Sequence, residues 1–287
     1  MRKLLRIVWR ILTLPFRWTR NIFREIRQFL IEVPEDTPLS DSIQKAVENP
    51  GDLLVHLNAL RKHIFRAMAV FILLTIVSLA FATQIVDFLA QPVGGIEALV
   101  AIDPTEPIST VMRVSLLTGF AVSFPYIALE LWLFAAPGLA PESRLFGLAA
   151  IPIATLFFLA GMAFAFFVFL PTAVDFLIHF MGITTQVRPA SYIKFVTGIM
   201  FWVGVAFEFP LIIYVLARIG LVRGKVLAEQ WRLAIVLMAV LAAMITPTVD
   251  PISMMLVMGP MILLYFLSIG LAYMAERTRA NLRVPQT

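Results

Sequence analysis

The sequence predicts an all-α polytopic membrane protein: six transmembrane helices in one bundle, with both termini cytoplasmic. Three observations carry this. Of 287 residues, 60% are hydrophobic and only 14% charged, with a mean hydropathy of +0.91; a soluble domain carries roughly 25% charged residues. Six apolar runs, at roughly 67–86, 111–135, 146–170, 195–217, 233–245 and 252–273, qualify as candidate spans. Finally, Lys and Arg crowd the segments on one side of those runs and nearly vanish from the other.

The first 51 residues read as an extension. Arg17, Arg20, Arg24 and Arg27 repeat at helical spacing, while Phe16, Phe23, Ile26 and Leu30 mark another face. Lys3, Arg6 and Arg10 repeat similarly before Pro15. Arginine interrupts the apolar residues too often for a signal-peptide core. The pattern suits a pair of basic amphipathic helices on the anionic leaflet, with membrane lipids as partners; a basic tail without fixed structure and an organellar transit peptide are the alternatives. Residues 31–51, with Pro34, Glu35, Asp36, Pro38, Asp41 and Pro50, read as an acidic linker. Asp52 suits a helix N-cap. Leu53, Leu57, Leu60 and Ile64 then line one face of a helix running along the membrane surface into the first span.

The fifth run is short. Leu233 to Ile245 makes about 20 Å of helix against a hydrocarbon core of about 30 Å. Thr246-Pro247-Thr248-Val249-Asp250-Pro251 then forces a tight turn, because neither proline continues a helix. Such a span tilts little, thins the bilayer locally or packs beside a neighbour. Orientation follows from the basic residues. Twelve precede the first span, Arg144 follows the second, Arg218, Arg223, Lys225 and Arg232 follow the fourth, and Arg277, Arg279 and Arg283 end the chain. Only Arg113, Arg188 and Lys194 fall on the other side, so 20 of 23 share one face of the membrane. The net charge of +5 reflects this asymmetry and does not point to nucleic acid.

One carboxylate stands out. Glu208 lies almost midway along the run from Phe195 to Ala217. An ionised acid at the centre of a spanning helix costs at least about 2.5–3.5 kcal/mol, so it must be neutral, hydrated or partnered. Enzyme chemistry finds no footing. There is no His-Glu-x-x-His, Gly-x-Ser-x-Gly or phosphate-binding glycine loop. Cysteine is absent, and His56, His63 and His179 all fall outside the apolar runs, which excludes an intramembrane histidine metal site or proton relay. No cofactor is expected.

At the span ends the strings become specific. His56-Leu57-Asn58-Ala59-Leu60-Arg61 precedes span one, and Trp132-Leu133-Phe134-Ala135-Ala136-Pro137-Gly138-Leu139 ends span two. Gly161-Met162-Ala163-Phe164-Ala165-Phe166 and Leu170-Pro171 mark span three. Ser191-Tyr192 opens span four, which carries Gly204-Val205-Ala206-Phe207-Glu208-Phe209-Pro210. The Thr246–Pro251 turn and Pro260 through Tyr265 complete the series. In this order and spacing they resemble the TatC family, the large receptor subunit of the twin-arginine protein translocase, over about residues 52–275; 276–287 is left as a cytoplasmic tail.

The resemblance implies a concave, glove-like six-helix bundle in the bacterial cytoplasmic membrane. It implies binding of twin-arginine signal peptides of folded cargo, recruitment of single-span partner subunits, a homo-oligomer within a larger complex, and transport driven by the proton-motive force. Glu208 matches the family's intramembrane acid, expected on the concave side against a polar residue of a partner's single helix or the inserted signal peptide. The alternative is a protonated acid bonded to a neighbouring hydroxyl. Arg61 and Arg144 match basic positions flanking the recognition surface, or act only as positive-inside anchors. Tyr192 and Phe195 match the opening of span four, and interfacial aromatic anchoring explains them equally well. Pro137, Gly138 and Pro247 set loop geometry, and Leu57, Leu139, Thr246 and Asp250 complete the expected binding positions.

The chain also departs from the family. Ala59, Ser143 and Phe266 stand where the family usually has Glu. Guanidinium groups call for carboxylates, so Glu130 and Glu142 are the expected substitutes, with Glu130 otherwise pairing to Arg144. Two rival functions remain: an ion-coupled small-solute transporter using Glu208, and a divergent paralogue acting as a membrane scaffold. Nothing resembles inverted repeats, and only one acid lies near the midplane, which counts against the transporter.

Overall fold

A computed structural model describes residues 50–136, 141–179, 186–246 and 251–282, with side chains at 57–136, 147–179, 186–246, 251 and 253–278. Residues 1–49, and Pro137, Gly138, Leu139, Pro247 and Asp250, lie outside the described residues, as do the side chains of Glu142 and Arg144.

The regular structure among the described residues is all helical. α1 (Pro50–Leu79) begins before Asp52, which therefore lies inside the helix and is not its cap. The expected surface helix and first span are one uninterrupted element, and its spanning window is Leu57–Leu79. The apolar run to residue 86 does not continue it. Ala80 and Phe81 bond back to Val77 and Ser78 in tight three-residue steps, and α2 (Ala82–Ala90) starts separately. Gln91-Pro92 and two left-handed glycines, Gly94 (φ 97°) and Gly95 (φ 90°), then reverse the chain.

α3 (Glu106–Ala135) opens behind an Asx turn, in which Asp103 Oδ1 accepts from the Thr105 amide at 2.7 Å and the Thr105 hydroxyl at 2.6 Å. These two donors hold the Asp103 carboxyl below the usual carboxylate range.

Span three outlasts its expected end at 170. α4 (Pro141–Phe164) passes through a π segment at Ala165–Phe169 into α5 (Leu170–His179). The Leu170 amide reaches five residues back to Ala165. That wider turn accommodates Pro171, which has no amide to donate and would clash in a regular turn. Helix α6 (Pro189–Phe207) is followed by α7 (Phe209–Ile219), which stops at the left-handed Gly220 (φ 87°). α8 (Gly224–Glu229) leads to α9 (Trp231–Ile245), the expected short span. Thr246, extended at ψ 122° as a residue before proline must be, ends it. α10 (Pro251–Leu282) carries Pro260 internally and runs past 275 without a break. Among the described residues five helices are long and apolar enough to cross a membrane, and α9 is a sixth, shorter apolar helix.

Lipid supplies no hydrophobic drive between helices, so close approach depends on small residues. At Gly119 an added Cβ would lie 2.3 Å from Thr75 Oγ1 and 2.7 Å from its Cα, which presses α3 against α1. At Gly161 a Cβ would meet Gly204 Cα at 2.8 Å, joining α4 to α6. The core is unequal along the bundle. At the end away from most basic residues, Leu89, Val114, Phe169, Ile193, Val196 and Val257 belong to one continuous cluster. At the basic end it divides: Ile213 and Ala217 pack on Ala272 and Ala275, while Trp132 and Leu133 pack separately with Leu148 and Ile151.

Candidate functional site

Glu208 sits where the helix carrying the continuous core ends. Its amide bonds three residues back to Val205 at 3.1 Å, and Pro210 has no amide to continue the ladder, so α6 breaks and α7 restarts with Ile212 donating to the Glu208 carbonyl at 3.0 Å. On one side Phe207 packs against the main core; on the other Ile213 joins the separate α7–α10 cluster. The residue is 9% exposed, and its Oε1 is buried with no hydrogen-bond partner. The alternative of an acid bonded to a neighbouring hydroxyl is therefore not met at that oxygen among the described residues. An orphaned carboxyl oxygen inside a membrane bundle is costly in isolation.

Glu130 is built differently. It is 1% exposed and fully engaged. Tyr126, one turn earlier on α3, donates its hydroxyl to Oε1 at 2.6 Å. His63 Nδ1 on α1 lies 2.6 Å from Oε2, with Arg66 Nη1 at 4.0 Å. The alternative pairing with Arg144 falls on a side chain outside the described residues; the described partners are Tyr126 on α3 and His63 and Arg66 on α1. His63 also lies within the first spanning window, so the expectation that every histidine falls outside the spans is corrected. Leu57 and Arg61 are exposed on another face of α1, where Arg61 lies 5.9 Å from the Phe65 ring centre.

The remaining expected residues lie at the opposite end. Tyr192 is 5% exposed and donates to the Leu89 carbonyl at 2.8 Å, which makes it a tie between α6 and α2 and not an interfacial anchor. Phe195 packs partly buried against the core beside Phe169. Thr246 is buried and its hydroxyl donates to the Ala242 carbonyl at 2.8 Å. The structure therefore does not gather these residues into one site. It places Glu130, Leu57 and Arg61 near the basic end, Glu208 at the helix break, and Tyr192, Phe195 and Thr246 at the other end.

Two features escaped the sequence reading. One is the His63–Glu130–Tyr126 cluster, signalled only by Tyr126 and Glu130 standing four residues apart. The other is an ion pair between Glu106 at the start of α3 and Arg188 at the start of α6, with Arg188 Nε 2.9 Å from Oε1. Arg188 and Glu106 clamp those two helix ends together, and Arg188 was visible only as one of three basic residues on the sparsely charged side.

Comparison with known proteins agrees with this architecture. The model of the family described as "Sec-independent protein translocase protein (TatC)" matches residues 55–260. A relative from Carboxydothermus hydrogenoformans, named Sec-independent protein translocase protein TatC, is 32% identical over 78% of this chain and 94% of its own. One of the same name from Deinococcus radiodurans is 33% identical over 83% of this chain and 91% of its own. A crystal structure titled as the twin arginine translocase receptor TatC superposes with a TM-score of 0.67 at 30% identity, covering 77% of this chain and 99% of that one. With its helix order and these matches, the chain belongs to the TatC family of Sec-independent protein translocase proteins.

Proposed function

We propose that this chain is the receptor subunit of a twin-arginine translocase. It binds the signal peptides of folded cargo at its basic end and docks single-span partner subunits at Glu208, with transport driven by the proton-motive force. It is a transport protein and not an enzyme. The observation that carries the docking role is the buried, unpartnered Glu208 Oε1 at the α6–α7 break. The bias of 20 of 23 basic residues to one side supports cytoplasmic termini in a bacterial cytoplasmic membrane, in an assembly containing several copies of the chain.

One observation favours a second reading, a paralogue that scaffolds the membrane assembly without reading signals. Ala59 and Ser143 replace acids usual in the family, and Glu130 is already engaged. Complementation separates the two. In a strain lacking its own receptor subunit and supplied with a cognate single-span partner, this chain is expected to restore export of a folded twin-arginine reporter. Stable membrane expression without export would favour the scaffold.

A further inference from the structure

Glu130 is the described acid nearest the expected recognition surface, yet neither of its oxygens is vacant. Tyr126 holds Oε1 and His63 holds Oε2, each at 2.6 Å. Beside this pair, between α1 and α3, lies a cavity of about 270 Å³ walled by His63, Glu130 and apolar side chains including Leu60, Met68 and Phe134. A guanidinium that reads a carboxylate in fork geometry needs both oxygens along one edge. At Glu130 the imidazole takes the Oε2 end of that edge and the Tyr126 hydroxyl the Oε1 end.

Within the cluster, His63 is the member able to leave. Its side chain is 19% exposed against 1% for Glu130, and an imidazole, unlike a guanidinium, carries no permanent charge. Arg66, at 4.0 Å, stands close enough to add attraction but too far for a two-pronged contact. The geometry points to His63 as a specificity-determining residue of the receptor: it occupies the Glu130 edge until an arginine of the signal peptide exchanges for it, and apolar residues beside that arginine fill the adjoining cavity. A lysine ammonium, a compact point charge, cannot span both oxygens and exchanges poorly. This inference rests on the signal-peptide reading above and explains how an acid that is already paired still reads arginine.

The test uses the full chain in lipid nanodiscs, labelled with ¹⁵N-histidine. The probes are a fluorescent synthetic peptide carrying adjacent arginines before an apolar segment, and its twin-lysine counterpart. The His63 resonance, assigned with His63→Gln, is expected to shift when the arginine peptide binds. The lysine peptide should bind at least tenfold more weakly. His63→Arg, which fixes a permanent cation on Glu130, should weaken arginine-peptide binding at least tenfold without lowering thermal stability. A bound complex with an unmoved His63 resonance, or His63→Arg binding like the parent chain, would overturn the exchange while leaving the receptor reading intact. Failure of the parent chain to bind the arginine peptide would overturn both.

Discussion

Glu208→Ala is expected to cut co-purification of a single-span partner subunit at least tenfold while leaving expression, membrane insertion and thermal stability unchanged or improved. The combination follows from Oε1 being buried without a hydrogen bond. A buried unsatisfied polar group costs about 1–3 kcal/mol, so deleting it relieves the isolated subunit. The same deletion removes the group that a visiting helix would bond. Structural acids behave in the opposite way, since truncation there lowers stability first. Glu208→Gln refines the account: it should retain most of the partner if the contact is a neutral hydrogen bond and lose it if the contact is an ion pair. Unchanged co-purification in the alanine variant would remove the docking role. Saturable small-solute flux in liposomes that vanished with Glu208 would favour the transporter instead.

The second large effect is expected at Glu130. Capture of a twin-arginine peptide by the Glu130→Gln/Glu142→Gln variant should fall by about 10–100-fold, the loss that accompanies hydrogen bonds to a charged group worth about 1.5–3 kcal/mol. Glutamine keeps the shape of Glu130 and an oxygen for the Tyr126 hydroxyl, so the tie between α1 and α3 should weaken only modestly. Equilibrium binding and a melting curve on the same preparation check both halves. Undiminished capture would show that the arginine pair is read elsewhere.

The sequence disclosed the spans because hydropathy and charge asymmetry are properties of composition along the chain. The short fifth helix and Glu208 came from the same signals, and the family resemblance from the ordered strings at the span ends. What escaped it depends on geometry. The break at Ala80-Phe81 has no proline or glycine to announce it, and the apolar run passes straight over it. The third apolar run reads as ending at 170, but a π turn absorbed the amide missing at Pro171 and the helix went on to His179. Glu130 and His63 are 67 residues apart, and Glu106 and Arg188 are 82 apart. No local spacing reveals such pairs, because only the packing of α1 on α3 and of α3 on α6 creates them.

The most direct measurement is photo-crosslinking in membranes that contain a co-expressed single-span subunit. The reactive residue is placed at Val205 and Phe209, both part-exposed beside Glu208, and at Met244, 76% exposed on α9, as a control. Adducts with the partner helix at 205 and 209, absent at 244 and abolished by Glu208→Ala, are the predicted result. Lipid adducts alone at 205 and 209, or partner adducts that survive the loss of the acid, would contradict the claim that Glu208 is held open for a docking helix.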